Sequence, residues 1–204
     1  MSLPRPSSES SPLAVESGDV SPGEFSLNER SQLLRLAHDA ILSALEGREI
    51  PLDPPTPHLG EPRGAFTSLY LRGELRGCVG YVFPVSPVYR AVADTARAAA
   101  FEDTRFHPVT LPEAPSLEIE LSILSPPQTI PVEAIEIGRH GLLISLAGHR
   151  GLLLPQVPAE HHWDRTTFLE QTCRKAGLPL DAWKNGATIE AFTAEVFGES
   201  TRTK

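Results

Sequence analysis

Apolar side chains recur three or four positions apart at Leu34, Ala37, Ile41 and Leu45, which predicts an amphipathic helix. Just upstream, Ser26-Leu-Asn-Glu29 has capping-box spacing, and Gly47 suits the left-handed residue that ends a helix. The period then changes to two. Ala65, Thr67, Leu69 and Leu71 alternate on one face of a strand, Arg72-Gly73-Glu74 turns the chain, and 75–80 returns, so a hairpin with a glycine-rich second arm is expected. Ser86-Pro87, as cap and first-position proline, opens an Ala-rich helix running to about Ala100. The stretch 101–108 is irregular. Leu117, Ile119, Leu121 and Ile123 alternate with Glu118, Glu120 and Ser122 in a half-buried strand stopped by Pro126-Pro127. Segments 142–146 and 151–154 flank Ala147-Gly-His-Arg150 as a second hairpin. Asp164 caps a helix that turns Phe168, Leu169, Thr172, Cys173 and Ala176 inward and ends at Gly177. Asn185-Gly186 leads into one last strand through Phe192, Ala194 and Val196.

Hairpins interspersed with a few helices, without regular strand-helix alternation, predict an α+β fold with mainly antiparallel pairing. Residues 1–24 carry seven Ser and four Pro with few apolar side chains, too few to offset the entropy of ordering, so a disordered lead is expected there. It has no apolar centre of signal-peptide length. Order is expected over 25–198, with a flexible tail at 199–204. Eighteen Lys and Arg against 26 Asp and Glu leave a net charge of -8, which disfavours RNA or anionic lipid as a bulk partner but leaves room for a local basic groove. No apolar run is long enough to span a bilayer. Two cysteines make no disulfide scaffold, and reduced thiols in the cytoplasm are the expectation.

The chemistry concentrates in Leu75-Arg76-Gly77-Cys78-Val79-Gly80. Glycines on both sides of a thiol let a ligand or another backbone approach, and Arg76 would stabilise a thiolate if it folded toward it. The same residues also fit a bulged strand in which Cys78 is a small packed hydrophobe. Cys173 lies on an apolar helical stripe. A cysteine nucleophile needs a base, and of the seven histidines His140, at a strand entrance, is the candidate, although an imidazole there also suits a bond to backbone. Asp103-Thr-Arg105-Phe106 reads as an ion-paired loop clamp or an anion-binding arginine. His161-His162 completes no ligand set, so no metal is expected, and without a Gly-x-Gly-x-x-Gly or P-loop pattern no cofactor is expected either. Glu118 and Glu120 share a strand face, as an acid-base pair or as its solvated side.

The hexapeptide resembles the Leu-Arg-Gly-Cys-Ile-Gly hallmark of the AMMECR family, also called AmmeMemoRadiSam system protein A. The likeness extends through Ala100-Phe-Glu-Asp-Thr-Arg-Phe106, Pro108-Val-Thr110, Ile137-Gly-Arg-His-Gly-Leu142, Gly151-Leu-Leu-Leu-Pro-Gln-Val157 and Cys173-Arg-Lys-Ala-Gly-Leu-Pro179. It implies two subdomains built on antiparallel sheets flanked by helices, the chain's two ends joining in the larger one. It also implies a modification pathway shared with a Memo-like protein and a radical S-adenosylmethionine enzyme, with RNA modification as one suggested role. Matched to the family's characteristic positions are Arg76, Gly77, Cys78, Gly80, Asp103, Arg105, Phe106, His140, Pro155 and Gln156. His107 stands where the family carries proline. In an enzyme, Cys78, Arg76 and His140 are the expected catalytic group, with Gly77, Gly80, Asp103, Arg105, Phe106 and Gln156 binding the ligand. In a binding or scaffold module, Cys78 is inert packing.

Overall fold

The computed structural model describes residues 23–199. Helix α1 (Leu27–Glu46) starts on a complete capping box: the Ser26 amide donates to Glu29 Oε2 at 3.0 Å, and the Glu29 amide to Ser26 Oγ at 3.3 Å. Gly47, at φ 67°, ends it. Its buried stripe is Leu33, Leu36, Ala37, Ala40 and Ile41, while Leu34 and Leu45 sit on the flanks. Strands β1 (Gly64–Leu71) and β2 (Glu74–Tyr81) form the first hairpin. Helix α2 (Val88–Phe101) begins one residue later than the Ser86-Pro87 reading, because Pro87 is itself the cap and the Ser86 hydroxyl pairs with Tyr81 Oη at 2.8 Å.

Strand β3 (Leu117–Leu124) pairs with β1, and the C-terminal β8 (Ala194–Gly198) pairs with β3, giving an antiparallel sheet of order β2-β1-β3-β8. Helices α1 and α2 cover one face, against Ala65, Thr67 and Leu69, and Thr67 Oγ1 lies 2.8 Å from Thr95 Oγ1 of α2. Apolar burial there is nearly continuous, and this is the larger core.

The second lobe is a sheet of order β4-β7-β5-β6, from β4 (Gln128–Thr129), β5 (Gly141–Leu146), β6 (His149–Leu153) and β7 (Thr188–Phe192). A short helix α3 (Gln156–Glu160) follows β6, and α4 (Arg165–Lys175) packs Phe168, Leu169 and Cys173 against Leu142 and Ile144. The β5–β6 turn is Ala147 and Gly148 alone, both left-handed at φ 49° and 85°, so β6 starts two residues earlier than the alternation suggested.

The expected single last strand is two strands in different sheets, β7 and β8, separated by Thr193. There the chain crosses between lobes beside its outward passage: the Ser125 amide donates to the Thr193 carbonyl at 3.0 Å, and the Thr193 amide to Ser125 Oγ at 3.0 Å. The fold is thus α+β on two four-stranded antiparallel sheets. At the two ends of the described part, the Glu24 amide donates to Glu195 and the Glu199 carboxylate accepts from the Ile119 amide. Met1–Pro22 and the last five residues lie outside the described part. Among the described residues no helix is long and apolar enough to cross a membrane.

Candidate functional site around Cys78

Strand β2 is an edge, and its register places Cys78 opposite Ser68. Successive strand residues point to opposite faces. Gly77 therefore faces α2, where a side chain would overlap the Ala99 carbonyl, and Cys78 faces the side of the sheet that α1 and α2 leave open. Gly80 lies under the Phe66 ring, which occupies the space a Cβ would need. Both glycines are spoken for by packing within the chain. The Cys78 thiol is half-buried and accepts a hydrogen bond from Ser68 Oγ at 3.3 Å.

The register shifts after Leu69, which pairs with Gly77 while Tyr70 pairs with Leu75, leaving Arg76 as an extra, bulged residue. That bulge overturns the expectation that Arg76 serves Cys78. Instead Arg76 binds Glu113 (Nε–Oε1 3.2 Å, Nη2–Oε2 3.2 Å) and the carbonyls of His107 (2.6 Å) and Pro108 (3.2 Å). Glu113 also accepts from the Thr110 amide and hydroxyl, both at 2.8 Å. Arg76 and then Thr110 hold its carboxyl down to about 2.

The outward-facing main chain of Cys78 is covered by the loop after α2. Asp103 Oδ2 accepts from the Cys78 amide at 2.9 Å, and Arg105 Nη2 donates to the Cys78 carbonyl at 3.2 Å. Asp103 in turn grips Arg105, Oδ1 to Nε at 2.9 Å and Oδ2 to Nη2 at 2.7 Å. The pair substitutes for a missing neighbour strand at one point of the edge. Arg105, followed by the Cys78 amide, pulls the Asp103 carboxyl well below the usual carboxylate range. Asp103, and more weakly the Cys78 sulfur, raise the Arg105 guanidinium. The cation bonded to Cys78, through the main-chain carbonyl, is therefore Arg105. Its Cζ also lies 5.4 Å from the Phe106 ring centroid. Arg76, Arg105, Phe106, His107, Pro108 and Glu113 help line a depression of about 760 Å³ next to this clip.

The structure does not bring the remaining candidates to the thiol. His140 precedes β5 in the second lobe, where its Nδ1 accepts from the Glu136 amide at 3.1 Å, so the expected Cys78–His140 pairing is not formed. Gln156 is exposed at the start of α3, also in the second lobe. His161 stacks on Trp163 with centroids 4.8 Å apart. Among the described residues no group of three His, Cys, Asp or Glu side chains is arranged to hold a metal. Cys173 is fully buried in the second core, and burial pushes its thiol pKa up.

Sequence reasoning missed Ser68 and Glu113. The alternation of β1 places Ser68 opposite Cys78 once the hairpin register is known, and Thr110-x-x-Glu113 has capping-box spacing that would have signalled a tied carboxylate.

The AMMECR1 family model matches residues 34–197, a span that takes in the clip, the bulge and both lobes. The chain belongs to the AMMECR1 family. Protein MK0488 of Methanopyrus kandleri is 44% identical over 188 residues, 86% of this chain and 91% of its own length. Protein MJ0810 of Methanocaldococcus jannaschii is 42% identical, over 86% of this chain and 92% of its own. The crystal structure of the uncharacterized protein PH0010 from Pyrococcus horikoshii matches with a TM-score of 0.67 at 40% identity, covering 83% of this chain and 90% of that one. This AMMECR1 protein therefore has a solved relative of the same fold.

Proposed function

We propose that this AMMECR1 protein supplies a reactive thiol, Cys78, to a modification pathway that it shares with a Memo-like protein and a radical S-adenosylmethionine enzyme. The observation that supports the thiol is the Asp103–Arg105 clip. It fixes a guanidinium on the main-chain carbonyl of Cys78, whose half-buried sulfur receives the Ser68 hydroxyl. An electrophile approaching the sulfur would meet the Ser68 hydroxyl and the Arg105 guanidinium as its polar neighbours, a setting suited to nucleophilic attack by a cysteine. No histidine contributes in this reading, so the thiol proton passes to solvent. The pathway assignment rests on the family resemblance.

Alkylation of native protein by iodoacetamide at pH 7, followed by peptide mass spectrometry, tests the thiol. Cys78 is expected to be modified well before Cys173, and equal protection of both until denaturation would overturn the reading. For the pathway, Cys78→Ser should abolish the product seen by metabolite or tRNA profiling of a deletion strain, with the thermal midpoint changed by only a few degrees. A second reading, a binding or scaffold module, is favoured by Gly77 and Gly80, whose missing side chains are accounted for by Ala99 and Phe66. Under it Cys78→Ser is silent in the same profiling.

A further inference from the structure

We infer that Arg105 is a specificity-determining residue which selects, for reaction at Cys78, electrophiles carrying a carboxylate or phosphate group. The inference rests on the reactive-thiol reading and adds a substrate class to it. Its basis is the way the guanidinium is mounted. Nε and Nη2 are both committed, to Asp103 and to the Cys78 carbonyl, which fixes the plane of the fork. Nη1 makes no hydrogen bond among the described residues, so two N–H donors remain for a ligand. The fork is rigid before anything binds, which spares a ligand the entropy of ordering a long side chain.

An arginine neutralised by an aspartate is not an obvious anion site, and burial decides the matter. The Asp103 side chain is 6% exposed and turned inward onto the Cys78 amide, whereas Arg105 is 59% exposed. An approaching ligand meets the cation, with the carboxylate behind it. The other charged pair on the depression is closed in the same sense, since all three nitrogens of Arg76 and both oxygens of Glu113 are already bonded. Phe106 lies against the guanidinium and offers an apolar wall to the body of the ligand. In the step so directed, the Cys78 thiolate forms a bond to the electrophilic carbon, the leaving group departs with the bonding pair, and the thiol proton goes to solvent.

Two alkylating agents that differ in one charge test the inference: iodoacetate and neutral iodoacetamide, both forming a sulfur–carbon bond and expelling iodide. The ratio of their rates at Cys78 is compared with the ratio at glutathione. An enrichment for iodoacetate of about fivefold is expected, the scale of one partly exposed charge pair. Arg105→Gln should return the ratio to the glutathione value. Arg105→Lys, which keeps the charge without the fork, should retain part of the enrichment and shows that loss in the Gln variant is not simply loss of fold. Inorganic phosphate and acetate, added separately, distinguish the two ligand sources by which one slows iodoacetate labelling at the lower concentration. A ratio equal to that of glutathione in the unaltered protein, with brisk iodoacetamide labelling, overturns the inference and leaves the reactive thiol standing. Absence of labelling by both agents removes the two together.

Discussion

Gly77 is the position at which packing and ligand access make opposite predictions. A methyl group there would overlap the main-chain oxygen of Ala99 and come within 3.1 Å of its carbonyl carbon. Restoring ordinary contact requires β2 and the last turns of α2 to separate by on the order of 1 Å, and overpacking of this kind costs about 1–3 kcal/mol. Removing a glycine from the unfolded chain returns about 0.4–1 kcal/mol. Gly77→Ala is therefore expected to be destabilised by about 1–2 kcal/mol net, which in a chain of this size lowers the thermal midpoint by about 2–8 °C. Urea or thermal unfolding followed by circular dichroism measures it. Because the obstacle is backbone, adding Ala99→Gly should restore nothing. A Gly77→Ala protein as stable as the parent would refute the reasoning, as would rescue by Ala99→Gly. A variant of unchanged stability whose Cys78 no longer reacts with iodoacetamide would show that the glycine serves ligand access instead.

Glu113 titrates at about 2 in the folded protein against an ordinary 4.5, so its clamp contributes fully above about pH 4.5 and is lost as the pH falls toward 2. Glu113→Gln should lower the thermal midpoint at pH 6 and flatten its decline between pH 4.5 and 2, a slope that differential scanning calorimetry reads directly. Asp103→Ala removes the acceptor of the Cys78 amide, and hydrogen exchange by NMR should show that amide exchanging faster while the amides of the covered strand β1 keep their protection. With a net charge of -8, the protein should bind generic RNA no better than a Kd on the order of 10⁻⁴ to 10⁻⁶ M, checked by fluorescence anisotropy at physiological salt.

Local rules carried most of the secondary structure because local interactions make it. The capping box at Ser26 and the cap at Asp164 were readable because both partners lie within four residues, and the left-handed Gly47 because conformation is a property of the residue itself. The break at Thr193 was not, since strand-forming residues lie on both sides of it and the backbone stays extended whichever sheet it joins. At the site, the neighbourhood of Cys78 and the Asp103–Arg105 segment were both visible as motifs. Their meeting was not, because it depends on how α2 returns the chain to the edge of β2. Residues two apart in a regular strand share a face, which made Arg76 the natural partner for Cys78. One extra residue in the hairpin turned Arg76 away, and nothing in the local text distinguishes a bulged from a straight arm.

The return of β8 to the first sheet sets an order of events during synthesis. Strand β3 ends at Leu124 and its partner β8 begins at Ala194, so the exposed side of β3 waits for about seventy more residues. At ribosomal speed that interval is roughly 4 to 14 s. The intervening stretch 125–193 begins and ends at the paired Ser125 and Thr193 and carries its own core, so it is able to fold in that interval. Glu195, which anchors the Glu24 amide and Arg30, arrives only with β8. A nascent chain stalled before residue 194 should thus display an open sheet edge and an untied start of α1, the surface on which a trigger chaperone or a second nascent chain would act.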